Sequence, residues 1–311
     1  MTYRSNTSVY KLLLGLLSCS CLLWASAASS QSDQSSCLDT AAALDYWRPI
    51  HATADNENHA TNQLARELIH CLGSADSELR DGISYDLLTY WLRSEKISTE
   101  TSSFLLQTLS PNLEESYSDQ TLLRSFSALI LGELMRADNL NSFMSEQDRL
   151  ELLRTSVIAL DNESDFRGLV EDIGWVHLIA HLADVLWRFS LHSALDEEQS
   201  RLILTGIRSK AGPTAAGYGF NEGDRLARSG TILIPRQALP TEEFVAWLES
   251  FDAPTSMNAW PDAFSSIEGM TELNNSKQFI RALSDQLQGQ DIDPAIQSKL
   301  EELIDLFNTL V

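Results

Sequence analysis

The stretch Val170–Leu191, VEDIGWVHLIAHLADVLWRFSL, governs how the rest of the chain is interpreted. On a helical period, His177, His181, Asp184 and Arg188 share one stripe about 60° wide. The rest of the cylinder carries Trp175, Val176, Leu178, Ile179, Leu182, Val185, Leu186, Trp187 and Phe189, with Asp172 the main polar intruder near the start. A helix that is apolar nearly all round is buried nearly all round, so the stripe is not simply a solvated face. Its polar groups need partners, because an unpaired buried polar group costs ~1–3 kcal/mol.

The sequence on both sides of this run is helical in the same way. Ser98, Ser118, Ser145, Asp196, Thr241 and Asp293 each precede an apolar-periodic run, as N-caps do. Asp196 with Gln199 has the form of a capping box, and Asp293-Pro294 sets a cap before a proline at the first helical position. The periodicity predicts helices over 58–72, 76–93, 98–109, 118–136, 145–160, 165–191, 196–210, 222–234, 241–251, 274–288 and 294–309. Short links make successive helices antiparallel neighbours. Arg80, Arg124 and Arg167 each open the second helix of a pair and lie 44 and 43 residues apart, a period suited to stacked HEAT-like hairpins. The expected fold is therefore all-α: stacked antiparallel helical hairpins, as an α-solenoid or an irregular α/α stack. Residues 37–251 form the helical-repeat domain, 252–275 (with Pro254 and Pro261) an irregular linker, and 276–311 a C-terminal helical pair packed on that domain.

Length and charge narrow the class further. The chain has 311 residues, 22 Lys and Arg against 44 Asp and Glu, and a formal charge of −22. Such a surface repels phosphate, which argues against nucleic acid and against docking on anionic lipid. Hydrophobic residues at 43% place the chain among folded proteins rather than disordered ones. The glycine-rich stretch from Ala211 to Gly223 lacks the Gly-Lys-Ser/Thr ending of a phosphate loop.

Met1–Ala27 has Arg4 and Lys11, no acid, an apolar run from Leu12 to Trp24 and an Ala25-Ser26-Ala27 cleavage site, the pattern of a secretory signal. The run is too short to span a bilayer. A periplasmic or secreted protein is expected, with a polar, disordered lead-in over 28–36. The runner-up is a lipoprotein anchored at Cys19, because Leu16-Leu17-Ser18-Cys19 loosely resembles a lipobox. Against the anchor, the chain stays apolar after Cys19. Cys37 and Cys71 remain after cleavage and are expected to form a disulfide in an oxidising compartment.

The polar stripe is open to three readings. His177, His181 and Asp184 have the spacing to hold one divalent cation, with Glu222 or Asp224 as a further ligand or base. Leu178 stands where the metalloprotease helix has Glu, so that motif is absent. The same residues, without metal, would line a polar pocket for a small molecule or peptide. Alternatively Asp184 and Arg188 pair at i, i+4, the histidines bond to neighbouring helices, and the network fixes the stacking register. Arg80-Asp81, Asp165-x-Arg167 and Glu222-x-Asp224-Arg225 set acid beside base at helix starts, as inter-repeat salt bridges or as the edge of a groove. Trp91, Trp175, Trp187, Phe126 and Phe189 are expected in the core, and no Gly-x-Ser-x-Gly elbow marks a serine nucleophile.

Several of these residues form a familiar series: Leu79-Arg80-Asp81, Tyr85 and Leu88, then Arg124-Ser125-Phe126-Ser127-Ala128-Leu129, then Asp165-x-Arg167-Gly168, Gly174-Trp175-x-His177-x-x-x-His181-x-x-Asp184, and Glu222-x-Asp224-Arg225-Leu226-Ala227. In this order they resemble the bacterial family of domain of unknown function 2785, over roughly residues 75 to 250. The resemblance implies a helical, HEAT-like protein and marks the His/Asp stripe as a signature, but it supplies no reaction. The expected function is an interaction or ligand-binding module, taking a protein, peptide or small molecule at His177, His181, Asp184, Arg188, Arg167, Glu222, Asp224 and Arg225. The alternative is a metal-dependent hydrolase built on His177, His181 and Asp184.

Overall fold

The computed structural model describes residues 37, 39–56, 59–114 and 120–310. The signal segment Met1–Ala27, Cys19, the lead-in 28–36 and the cap expected at Ser118 lie outside the described residues.

Helices begin where short polar side chains take up the first free N–H groups. Asp39 accepts from Ala41 and Ala42 N–H at the start of α1 (Thr40–Ala52), and Ser98 from Thr101 N–H at the start of α4 (Thr99–Leu109). Capping boxes open α6 (Glu146–Asn162) at Ser145/Asp148 and α8 (Glu197–Ala211) at Asp196/Gln199. Asp293 caps α12 (Pro294–Thr309), whose proline sits in the first turn. Thr241 is not a cap: it is the first residue of α10 (Thr241–Glu249), and its hydroxyl donates to Asp293 Oδ2 at 3.0 Å. The other helices are α2 (Thr61–Leu68), α3 (Asp86–Arg93), α5 (Thr121–Leu140), α7 (Leu178–Ser190), α9 (Glu222–Leu233) and α11 (Ile267–Leu287).

Packing sorts these helices into two rows. In one row α1 lies against the turn leading into α3, and α3, α5, α7, α9 and α11 follow side by side. In the other, α2 touches α4, the turn after α4 touches α6, and α6 touches α8. Trp247 Nε1–H to Leu204 O and Arg201 to Glu243 tie α8 to α10, and α10 packs on α12. Odd and even helices alternate, so the chain is an all-α stack of helical hairpins, as expected. Trp47, Trp91, Phe244, Phe251, Phe279 and Phe307 are buried along its length. Cys37 and Cys71 are bonded, with Cα atoms 5.3 Å apart, and tie the lead into α1 to the end of the α2 segment. Among the described residues no helix is long and apolar enough to cross a membrane.

Four further expectations need correction. Helix α1 lies outside the helices that the periodicity predicts, because Pro49 inside it breaks the pattern that marks a helix. The irregular stretch 252–275 is shorter than expected, since α11 starts at Ile267 and buries Glu272 and Asn275. Arg167 opens no helix, unlike Arg80, Arg124 and Arg225. Most consequentially, 165–191 is not one helix. Leu169–Val170 (β1) and Gly174–Trp175 (β2) form a small antiparallel hairpin, and helix starts only at Leu178. Asp172 (φ 64°), Gly174 (φ 88°) and His177 (φ 42°) take left-handed backbone there, which no helix admits.

Candidate functional site

The first turns of the odd-row helices end on a common side and enclose a cleft of about 470 Å³. The segment before α3 contributes Asp81 and Tyr85, α5 contributes Phe126, the hairpin Trp175, α7 His177, His181 and Asp184, and the start of α9 Asn221 and Arg225. Phe220 closes one side.

Local backbone explains how these groups meet. Glu78–Tyr85 is a π-helical turn, and Ser84 Oγ–H donates to Leu79 O at 2.6 Å across it. Such turns are rare and concentrate at functional sites. Arg80, wholly buried behind it, reaches three ways: to Asp81 (Nε–Oδ1 2.8 Å), to Ser74 O (2.8 Å) and to Ile173 O in the hairpin (2.7 Å). That guanidinium thus joins the α3 start to a loop far along the chain. Phe220 rests on Gly168, where any Cβ would lie 2.1 Å from the ring.

The two imidazoles are buried beside each other, ring centres 5.6 Å apart. Ser125 Oγ contacts both Val176 O and His181 Nδ1, the latter at 2.7 Å. A carbonyl only accepts, so the single hydroxyl proton goes to Val176 and the serine oxygen accepts from His181 Nδ1–H. The ring is therefore the Nδ1–H tautomer, with Nε2 left as an acceptor. Burial, then the neighbouring His177 and Arg225, push its pKa down to about 3. His177 caps α7 in left-handed backbone and stacks on Trp175, centroids 5.0 Å apart and planes 27° apart. Its Nε2 lies 3.3 Å from Glu222 Oε1, close enough for charge attraction but off the angle of a hydrogen bond. Burial raises the Glu222 carboxyl, but His177 and the Phe220 N–H outweigh it and hold that group low.

The carboxylates are charge-compensated. Arg80 grips both oxygens of Asp81, at 2.8 and 3.2 Å. Asp184 lies between Arg225 and Arg228, the latter at 3.1 Å. Burial raises both carboxyls above the usual range despite those arginines.

The expected stripe is thus realised in part. His177, His181, Asp184 and Arg225 come together, and Glu222 stands behind His177. Arg188 does not face the cleft: it pairs with Glu133 (2.6 Å) and lies over Trp187, so the expected Asp184–Arg188 pair is replaced by Asp184 with Arg225 and Arg228. The cause is α9, whose arginines reach Asp184 from across the row. Arg167 pairs with Asp165 away from the cleft, and Asp224 points to solvent. For the cation reading, no group of three or more His, Cys, Asp or Glu among the described residues is placed to hold a metal ion. The Asp184 oxygens are taken by guanidiniums and His181 Nδ1 by Ser125. Trp175, expected in the core, is 40% exposed, and Phe220, 41% exposed, was not foreseen. The glycines around Gly217-Tyr218-Gly219-Phe220-Asn221 were the available signal: a short glycine-rich turn that presents an aromatic and an amide.

The fold and cleft define a two-row α-helical stack with a polar, aromatic-edged cavity across the starts of one row. The family model described as "Protein of unknown function (DUF2785)" matches residues 109–284, and the chain belongs to that family. The match begins after Asp81 and Tyr85 and runs into α11, further than the resemblance noted in the sequence. No curated protein and no solved structure matches the chain.

Proposed function

We propose that this is an exported binding protein that holds a small polar molecule in the cleft between the starts of α3, α5, α7 and α9. One observation carries the reading: a buried imidazole acceptor, a guanidinium and two half-exposed aromatic rings converge on one cavity of about 470 Å³, a size suited to small ligands. A network serving only to fix the stacking register would bury Trp175 and Phe220. Both rings line the cleft beside its buried polar cluster, where a partner can reach them. Export is supported by the signal-like Met1–Ala27 and by the Cys37–Cys71 bond, which persists in oxidising compartments. The metal-hydrolase alternative has weaker support, since the carboxylate it needs is held by two arginines.

The test is a ligand-observed NMR screen of a chemically mixed small-molecule library against the wild type and His181→Gln. Hits that weaken in the variant support the cleft as the binding site. A library with no hits, or hits indifferent to the substitution, refutes it.

A further inference from the structure

We infer that the ligand is a neutral saccharide, one ring of which stacks on Trp175 while its hydroxyls bond to His181, Asn221 and Arg225. This rests on the binding reading above and adds its chemical class.

Charge comes first. An ion-binding site leaves an uncompensated charge for its ligand. Here Asp81 pairs with Arg80 and Asp184 with Arg225 and Arg228, and the Glu222 carboxylate, held low behind His177, brings the acids to three against three arginines before any ligand arrives. The cavity offers paired charges, which polarise hydroxyl groups strongly without selecting an anion or a cation.

The donors and acceptors come second. His181 Nε2 accepts only, because Ser125 fixes the proton on Nδ1. Arg225 donates only, and just one of its terminal nitrogens is engaged by Asp184. The Asn221 side chain does both. It is exposed at the cleft edge, and its backbone (φ 67°) sets it at the cap of α9 with no capping bond of its own. Each sugar hydroxyl donates one hydrogen bond and accepts others, so neighbouring hydroxyls match interleaved donors and acceptors. A carboxylate or phosphate ligand would meet the His181 lone pair with repulsion, and an ammonium would meet Arg225.

The aromatic wall comes third. His177 covers one face of the Trp175 indole, and Phe220 meets it edge-on at 5.8 Å and 90°. Trp175 lines the cleft and keeps 40% of its surface exposed. A sugar presents a flat patch of C–H groups on one side and hydroxyls around its rim, so the ring sits on Trp175 while the rim reaches the polar groups. Asp81, Tyr85 and Phe126 line the same cleft, whose volume of about 470 Å³ gives room beyond one ring.

The experiment uses the full exported chain and isothermal titration with a panel of glucose, galactose, N-acetylglucosamine, maltotriose and cellotetraose, alongside inorganic phosphate, acetate and choline as charged comparators. At least one saccharide is expected to bind, and the comparators are not. Trp175→Ala weakens binding by about tenfold or more, the loss of one well-packed aromatic contact. Trp175→Phe, which keeps a ring, retains most of it. Asn221→Asp, tolerated in left-handed backbone, weakens binding with the melting temperature unchanged. Saccharide binding indifferent to both Trp175→Ala and Asn221→Asp overturns the inference. So does binding of a charged comparator alone. If the mixed-library screen gives His181-dependent hits but no saccharide binds, the saccharide assignment fails and the binding site stands. If neither finds a ligand, both fail.

Discussion

Lowering the pH should unfold this protein partly through one side chain, His181. Its ring is neutral in the folded state, with a pKa near 3 against 6.5 for the free residue. His177, Arg225 and Arg80 surround it with positive or potentially positive charge, and Asp184 on the same helix is occupied by arginines. The folded pKa lies below the unfolded one, so the unfolded chain binds a proton that the folded chain refuses. The stabilisation is complete above pH 6.5 and is lost as pH falls towards 3. The slope approaches ~1.4 kcal/mol per pH unit, so from pH 7 to pH 5 the loss is about 2 kcal/mol. His181→Gln keeps a donor for Ser125 and does not titrate. Urea unfolding of both proteins at pH 7 and pH 5 isolates the term. Asp81 and Asp184, raised by burial, act in the opposite direction, and His192, lowered by burial, acts in the same one. These groups are present in both proteins and drop out of the difference. The wild type should lose about 2 kcal/mol more than the variant on acidification. Equal losses would show that His181 already accepts a proton in the fold, and the tautomer argument would fall with it.

Other consequences of the structure are open to direct measurement. Arg124 and Glu163 form a buried pair at 2.8 Å, so Glu163→Gln should cost about 3–5 kcal/mol in urea unfolding. Breaking the exposed Arg48–Glu78 pair, which water and salt screen, should cost far less, and equal costs would contradict the burial argument. Replacing both Cys37 and Cys71 by serine should lower stability by about 3–4 kcal/mol on the chain-entropy account, and reducing agent should leave that variant unaffected. Gly168→Ala should displace Phe220, lower stability by about 1–3 kcal/mol and weaken whatever the cleft binds, because the new methyl has no space beneath the ring. With a formal charge of −22, the melting temperature should hold or rise as NaCl is added, and a steady fall would mean that surface ion pairs dominate over self-repulsion.

How far the sequence could anticipate this structure depended on the range of each signal. Caps are local, and Ser98, Ser145, Asp196 and Asp293 were all recognisable from their own neighbourhoods. The two-row stack followed from short links and repeated helices. What escaped were features set by tertiary contact or by backbone that runs against local preference. Trp175-Val176-His177 is as apolar and helix-compatible as the residues after it, yet Arg80 binds Ile173 O and the chain turns into a hairpin. The partner of Asp184 is a choice among Arg188, Arg225 and Arg228, and only the packing of α7 on α9 decides it. The local i, i+4 rule pointed to Arg188, but Glu133 on α5 holds that side chain instead.

The distribution of arginines carries the functional argument one step further. The chain has twice as many acids as bases, yet Arg80, Arg93, Arg188, Arg225 and Arg228 gather along α3, α5, α7 and α9 around Asp81, Glu133 and Asp184. Partly burying ions this way is weak evidence for stability, because well-packed apolar residues of similar size do as well or better. A stack built only to be stable would place leucines there and cover Trp175 and Phe220. Paired charge is buried elsewhere too, as at Arg124–Glu163, but at this cleft it is joined by two half-open aromatic rings, a pattern expected where a site is kept ready for a ligand.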